Sequence, residues 1–461
     1  MSSVSLLALV GALASVACTE SSDGSPGTDD SGAPDGGAEG ATCSNEGAGS
    51  IAIVVTGLPD GVDAKITLTT PAGAEVEAAP GATLADQPAG TYAVTAARAA
   101  SPDPVVRTLY EASVSESPLC LADGESKTVT VTYAPVPSSH KLWATNSNAS
   151  GQLLAFAAGS LTETGSPSAS VATTGASGQG AHAGRSIAFD KDGNAWGIGA
   201  TTVDAPLLRF AAADLGESGA KTPDRKIKPA FGTCLPGLAS LAFAPDGALW
   251  ATATCDKALL RVPSAQLAES GEYTPDANDV VSGLEGPRHL AFDRDGNLWI
   301  SDETRLRRFA AAALEPGQPH ESDFEIEVKS ADDAALPPDL VAFDAEGNLW
   351  VSSFGANAIY KLTPANLAPE GASRTLVPSV HLSIPVSALL EGLAFDESGG
   401  LWLTYSQGKI ARLAPSQLGT STTPGNPTIP ETIVTSAEIG SAGGLAFFPA
   451  PAALPLYGRF E

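Results

Sequence analysis

From residue 141 to residue 450, apolar positions recur in pairs of short bursts separated by polar turns. "LAFDRDGNLWIS" (Leu290–Ser301) is one such pair: an alternating run, a turn containing Asp and Gly, and a second run through Trp299. Alternation over so few residues predicts strands, and the glycine between them predicts a tight hairpin. The pair Ala-Phe recurs at Phe189, Phe243, Phe292, Phe343, Phe395 and Phe447, spaced 54, 49, 51, 52 and 52 residues apart. Five of these runs pass through Gly193, Gly247, Gly296, Gly347 or Gly399 to Trp196, Trp250, Trp299, Trp350 or Trp402. A third strand follows each, ending in "FAAADL", "VPSAQL", "FAAAAL", "LTPANL" or "LAPSQL". Then comes a Pro- and Thr-rich stretch with a further β-run, such as "DFEIEVKS" (Asp323–Ser330). Strands repeated at this period, about four in 50 residues, form one blade of a β-propeller.

The ends of the repeat set the number of blades. "KLWATNSNASGQLLAFAAGSL" (Lys141–Leu161) has a Trp strand and a third strand but lacks the Ala-Phe strand before them. "GGLAFFPA" (Gly443–Ala450) has that strand and nothing after it. Joined, the fragments make one composite blade, the C-terminal strand closing against the N-terminal three. The pattern thus predicts six blades over 141–450, one Trp in each, with Trp143 in the closing blade. A lone blade cannot bury both faces, and ring closure solves this while removing exposed sheet edges. Glycine supplies the positive φ of each turn, Asp and Asn cap its backbone, and Phe and Trp fill the space between neighbouring blades.

Residues 48–135 read as a second all-β region. "SIAIVVTGL" (Ser50–Leu58), "AKITLTT" (Ala64–Thr70), "GTYAVTAA" (Gly90–Ala97) and "KTVTVTYAP" (Lys127–Pro135) are β-branched runs between Pro, Gly and Asp turns. About seven strands are expected, in a small Ig-like or transthyretin-like sandwich. "LADQPAGTYAVTA" (Leu84–Ala96) resembles the final hairpin of bacterial surface modules of that kind. Residues 136–140 form a linker and 451–461 a C-terminal tail.

The N-terminus adds an address. "VSLLALVGALASVA" (Val4–Ala17) is apolar for 14 residues, too short to span a bilayer and suited to the core of an export signal. "SVAC" at Ser15–Cys18 resembles a bacterial lipobox, which implies a signal over 1–17 and a lipid anchor on Cys18. A cleaved secretory signal without lipid is the plainer alternative. Thr19–Ser50 holds seven acidic residues and no Lys or Arg. The segment 18–47 therefore reads as a self-repelling, disordered tether. Of the five cysteines, Cys43, Cys120, Cys234 and Cys255 remain once Cys18 is set aside, an even set that suits an oxidising compartment. Three pairings are possible. Cys43–Cys120 and Cys234–Cys255 keep each bridge local to one domain. The 52 acidic against 25 basic residues, a net charge of −27, exclude a phosphate-tracking nucleic-acid surface.

With "GNLW" and its flanking "LAFD" in place, the blades resemble those of the NHL-repeat superfamily, which includes the virginiamycin B lyase and gluconolactonase-like families. The resemblance covers about 141–450. It implies a ligand site at the face built by the loops entering the innermost strands and those joining the second and third strands. Four residues before each Phe stand Arg185, Ala239, Arg288, Asp339, Glu391 and Gly443. Three after each Trp stand Asn146, Gly199, Ala253, Asp302, Ser353 and Tyr405. With His289 and His182 nearby, these are the ligand-binding candidates, and ion pairs between blades, such as Arg288 with Asp339, are the structural alternative. The gluconolactonase-like resemblance would imply Ca2+ or another divalent cation held by residues such as Glu391, Asp339 and Asp302; the lyase-like one, a base such as His289. The residues flanking these positions depart from both families, and "DKDGN" and "DRDGN" read as turns because they lack the spacing of a calcium loop. The leading expectation is a monomeric, exported lipoprotein, anchored to an outer membrane or cell surface, whose propeller binds a protein, glycan or small molecule. A metal-dependent lactonase or lyase is the alternative.

Overall fold

In the computed structural model the chain divides into two units, Met1–Cys43 and Ser44–Glu461. The structure describes residues 43, 46–97, 99–100, 109–135, 141–146, 151–175, 186–190, 192–199, 206–231, 238–318, 320–353, 355–385, 389–405, 408–440 and 442–448. The export signal, Cys18, the linker 136–140, the tail 451–461, Arg185, His182 and Cys234 lie outside them. Among the described residues no helix is long and apolar enough to cross a membrane.

Nine strands lie among the described residues of 48–135: β1 Ala48–Thr56, β2 Ile66–Thr69, β3 Glu75–Ala78, β4 Thr83–Pro88, β5 Gly90–Ala96, β6 Ala99–Ala100, β7 Leu109–Val114, β8 Leu119–Leu121 and β9 Ser126–Pro135. They form two sheets, ordered β4-β1-β9-β7-β6 and β3-β2-β5-β8. Alternation decides which side is inside: in β5, Gly90, Tyr92 and Val94 are buried while Thr91, Ala93 and Thr95 are exposed. Both sheets contribute to one core, with Ile51, Val129 and Val131 from one and Ile66, Tyr92 and Leu119 from the other. β1 and β9, the first and last strands, pair in parallel. Two expectations change here. The strands exceed the seven anticipated, because β6 and β8 are too short to show alternation. "LADQPAGTYAVTA" is also not a hairpin: β4 pairs with β1, whereas β5 pairs with β2 and β8 in the other sheet. The chain crosses between sheets at Ala89, and the Tyr92 hydroxyl pins the crossing by donating to the Pro88 carbonyl at 2.8 Å. Cys120, in β8, is joined to Cys43 in a disulfide, and Cys255 is also disulfide-bonded.

Beyond residue 141 the described residues form a β-propeller of six sheets. Blade 1 pairs Ala442–Phe447 with Lys141–Asn146, followed by Gln152–Ala157 and Val171–Gly175. Blade 2 is Ala188–Phe189, Ala195–Ile198, Leu207–Phe210 and Arg225–Pro229; blade 3 is Leu241–Phe243, Leu249–Ala253, Ala258–Val262 and Val280–Val281. Blade 4 is Pro287–Phe292, Leu298–Asp302, Arg305–Phe309 and Phe324–Val328. Blade 5 is Pro338–Phe343, Leu349–Ser353, Ala358–Leu362 and Val380–Ser383; blade 6 is Leu390–Phe395, Leu401–Tyr405, Lys409–Leu413 and Thr432–Thr435. In the first blade Leu142 stands opposite Phe447 and Trp143 opposite Ala446, so the two ends of the repeat share one sheet.

Apolar side chains fuse each sheet to the next. The Trp of one blade meets the Phe of the following one: Trp143–Phe189 at 5.8 Å, Trp196–Phe243 at 6.2 Å, Trp350–Phe395 at 6.1 Å and Trp402–Phe447 at 6.3 Å. Trp250 with Phe292, and Trp299 with Phe343, share the two remaining seams. Truncating one of these indoles to Ala costs about 3–5 kcal/mol by the usual cost of an emptied core site. After each third strand the chain makes a short helical turn rather than ending in strand, as at Ala212–Gly216, Ser264–Ala268 and Pro364–Leu367. This accounts for the repeated "AADL" and "PANL": the last Leu of each, such as Leu215, Leu267, Leu314 and Leu367, is buried in the seam with the preceding blade.

The outer strands are covered as well. Gly219–Lys221, Gly271–Tyr273 and Ser373–Leu376 add in parallel to the outer edges of blades 1, 2 and 4, each coming from the following blade's chain. Thr422 bonds the edge of blade 5 and Gly165 that of blade 6 in the same way. Among the described residues five blades thus receive a Pro- and Thr-rich segment from a neighbour, which blunts an edge that otherwise invites pairing with another chain.

Candidate functional site

The hairpin between the inner and second strands shows how much of the repeat is scaffolding. In blade 5, Asp344 Oδ1 accepts the N–H groups of Glu346 (3.0 Å) and Asn348 (2.9 Å), while Oδ2 accepts from Asn348 Nδ2 (2.8 Å) and the Trp350 indole N–H (2.8 Å). Asp190, Asp293 and Asp396 hold Trp196, Trp299 and Trp402 in the same way. The Gly at the tip adopts φ 78° in the case of Gly296, open to glycine at no steric cost. These carboxylates are turn caps bound to an indole, which explains why the aspartate recurs with the tryptophan.

The opposite end of the blades carries the candidate ring. A hydroxyl two residues after the Trp ties it together. Thr252 Oγ1 donates to the Arg288 carbonyl (3.0 Å), Ser301 Oγ to the Asp339 carbonyl (2.5 Å) and Thr404 Oγ1 to the Gly443 carbonyl (2.5 Å), each on the next blade. The backbone that presents Arg288 and Asp339 is therefore fixed from behind. The signal lies in the Ser or Thr of "WAT", "WIS" and "WLT", which strand alternation does not single out.

Of the positions four before each Phe, Ala239, Arg288 and Glu391 are partly exposed, whereas Asp339 is buried at 3 %. Arg288 and Asp339 form the anticipated ion pair between blades 4 and 5, at 3.8 Å. His289, half-buried beside them, has its backbone N–H on Ser301 Oγ at 3.0 Å and receives the Val341 N–H at Nδ1, at 3.4 Å. Leu389 adds an apolar surface, 44 % exposed. Between Asp339, Ser353, Asn357 and Leu389 lies a cavity of about 20 Å3, the size of one water. The buried Ser353 hydroxyl on its wall has no hydrogen-bond partner.

The second ring lies deeper than expected. Asn146 and Asp302 are fully buried, Tyr405 is 4 % exposed and Ser353 6 %, because second strands are flanked on both edges and packed on both faces. Asn146 bridges Gln152 (2.8 Å) and the Glu438 carbonyl (2.7 Å) and receives the Gly440 N–H at 3.1 Å, fixing the approach to the closing strand. Tyr405 belongs to the core between blades 5 and 6, and burial pushes its phenol up. Asp302 accepts the N–H groups of Glu285 (2.9 Å) and Gly286 (2.6 Å) and pairs with Arg307 Nε at 2.6 Å. Among the described residues no three His, Cys, Asp or Glu side chains converge to hold a metal ion, so Asp302, Asp339 and Glu391 are not brought together as a ligand set.

No protein-family profile and no curated protein matches the sequence. Solved structures that superpose on it include a catalytically inactive virginiamycin B lyase from Staphylococcus aureus with quinupristin, at 17 % identity over 55 % of this chain and 74 % of that one, with a TM-score of 0.33. A protein of unknown function from Bacteroides caccae matches at 13 % identity over 65 % of this chain and 98 % of the other, TM-score 0.40. The Swd1 β-propeller domain from Myceliophteria thermophila matches at 10 % over 65 % and 92 %, TM-score 0.40. Strand order and the packing of each seam define the propeller.

Proposed function

We propose that the chain is an exported lipoprotein whose propeller, six-bladed and sealed by the first and last strands of its repeat, serves as a binding module. An acylated Cys18, the acidic tether and an Ig-like spacer hold it at an outer membrane or cell surface, as a monomer. The ligand, a glycan, small molecule or protein loop, meets the axial end of blades 4 to 6, where Arg288, His289, Glu391 and the exposed Leu389 offer charge, hydrogen bonds and apolar surface on a fixed backbone.

The state of Asp302 supports binding over metal-dependent hydrolysis. Of the three carboxylates a cation would recruit, it is buried and engaged by two backbone N–H groups and Arg307. Drawing it to a metal would break its bond to Arg307, itself only 14 % exposed, and leave the Glu285 and Gly286 N–H groups without their acceptor. Thermal melting with calcium and magnesium tests this reading: no shift is expected with either ion. A midpoint raised by calcium in the wild type but not in Glu391→Ala would overturn it in favour of a lactonase or lyase. Detergent-phase partitioning tests the anchor; the wild type should enter the detergent phase and Cys18→Ser should not.

A further inference from the structure

We infer that the outer edge of blade 3 is a strand-addition site, where an extended segment of a partner protein, carrying Ser or Thr ahead of a small residue, pairs with the sheet. It lies on the rim of the propeller and does not depend on the axial reading. In the other blades the chain covers the same place with its own residues. The residue before the one opposite each Trp pairs with an equivalent position on the fourth strand: Ala172, Lys226, Val280, Glu325, His381 and Ile433. In four blades the N–H at this position donates to a hydroxyl of the segment lent by the neighbour. Ala172 donates to Ser218 and Lys226 to Ser270, both at 3.0 Å; His381 donates to Ser421 and Ile433 to Thr164, both at 3.1 Å. In blade 4 Glu325 donates to the Ala372 carbonyl instead, at 3.0 Å. After three of these hydroxyl residues comes a glycine, Gly219, Gly271 or Gly165.

Val280 has no such partner. Arg261 donates to the Asp279 carbonyl at 2.8 Å, and because an antiparallel ladder alternates, Val280 turns its N–H and C=O away from the third strand. Neither group is hydrogen-bonded among the described residues. Val280 is half-buried, and Ser282 beyond it is exposed. The stretch of blade 4 that corresponds to the lent segments takes another course. Gln318 closes a turn on the Glu315 carbonyl at 3.1 Å. The His320 ring nitrogens lie 2.6 Å from the carbonyl oxygens of Ala313 and Asn278, with the ring edge-on to Trp250 at 5.4 Å. Held there, His320 takes the Asn278 carbonyl at the head of the edge and leaves Val280 uncovered. Outward N–H and C=O groups on a sheet edge recruit an extended chain, the backbone supplying affinity and the side chains selection. A short guest suffices, since Gly219–Lys221 and Gly271–Tyr273 are three residues long. The lent segments also state the selection: a hydroxyl to accept the Val280 N–H, then a small residue as the strand begins. The net charge of −27 disfavours a second copy of the chain as the guest.

Fluorescence anisotropy of a labelled, end-capped peptide of residues Glu217–Thr222, titrated with the full chain, tests the inference. The peptide should bind, and the Val280 amide should become protected from hydrogen exchange. Replacing its Ser by Ala should weaken binding about three- to tenfold, the contribution of one hydrogen bond. N-methylation of its Gly and Lys removes donors that an added strand must offer and should abolish binding. Val280→Pro should abolish it too. Proline is tolerated on an edge where the lost N–H faces outward, so this variant should melt as the wild type does. Binding that survives N-methylation or Val280→Pro, or no binding to the wild type, would overturn the site. So would a dimer of the wild type that Val280→Pro converts to monomer, since the guest would then be a second copy.

Discussion

At the hairpin end of the propeller, Asp190, Asp293, Asp344 and Asp396 each cap a turn and hold an indole. At the opposite end, the equivalent positions Ala239, Arg288, Asp339, Glu391 and Gly443 carry five different residues. Where every blade must solve the same folding problem, the same residue returns. Where only the backbone is fixed, by the hydroxyls of Thr252, Ser301 and Thr404, the side chains differ, and that is the end to which ligand recognition is assigned. Asp302 marks the limit of the rule. It does not recur, yet it is as structural as any of the turn aspartates.

The largest effect expected from probing this contrast is at Asp302. Its removal in Asp302→Ala leaves Arg307 with Glu325 and Glu285 only and strips the Glu285 and Gly286 N–H groups of their acceptor, and should cost about 3 kcal/mol or more in urea unfolding; a change under 1 kcal/mol would show that the residue is available for a ligand after all. Next comes the turn. Asp344→Ala strips two backbone N–H groups and the Trp350 indole of their acceptor and should cost about 2 kcal/mol or more. Blade 3, in which Ala244 stands where blades 2, 4, 5 and 6 place Asp, shows that the hairpin forms without it and can serve as the reference.

A smaller difference separates two tryptophans. The Trp350 indole donates to Asp344 at 2.8 Å, while the buried Trp143 indole nitrogen has no partner. Trp350→Phe should therefore cost about 1 kcal/mol more than Trp143→Phe, and equal losses would mean that the turn bond contributes nothing. The mildest test is acid. Burial alone would push Asp396 up, but Arg412, Ser398, the Gly400 N–H and Trp402 together hold its carboxyl below its ordinary value; Arg209 lowers Asp224 against a smaller burial penalty. Lowered in the folded state, both groups contribute stability that is complete above their ordinary value of 3.8 and is lost as pH falls through the folded values. Unfolding free energy should accordingly be insensitive to these groups between pH 7 and 5 and fall below about pH 4, with a shallower fall in Asp224→Asn.

The repeat was legible because its determinants are local. The Ala-Phe strand, the Gly turn and the Trp strand lie within a dozen residues of one another, and their recurrence led directly to the blade and to its completion by Trp143 and Phe447. What escaped depends on neighbours distant in sequence. The parallel rim strands such as Gly219–Lys221 form only against the outer edge of another blade. Nor could alternation reveal that β4 and β5 part company at Ala89, since both patterns suit a strand in either sheet. The site was legible only as positions. Counting three residues past each Trp located the second ring correctly along the strands, but the packing of adjacent blades buries Asn146, Asp302 and Tyr405, and strand periodicity carries no record of that.

The proposed closure of the ring is tested most directly by a cross-link over its seal. Ala144 and Leu445 are paired across blade 1 and share the core cluster between blades 6 and 1, within the Cα separation a disulfide accepts. Ala144→Cys with Leu445→Cys should oxidise quantitatively under mild conditions, joining the two ends of the propeller in one covalent loop and raising its unfolding midpoint. A folded double variant in which both thiols stay reduced would contradict the account.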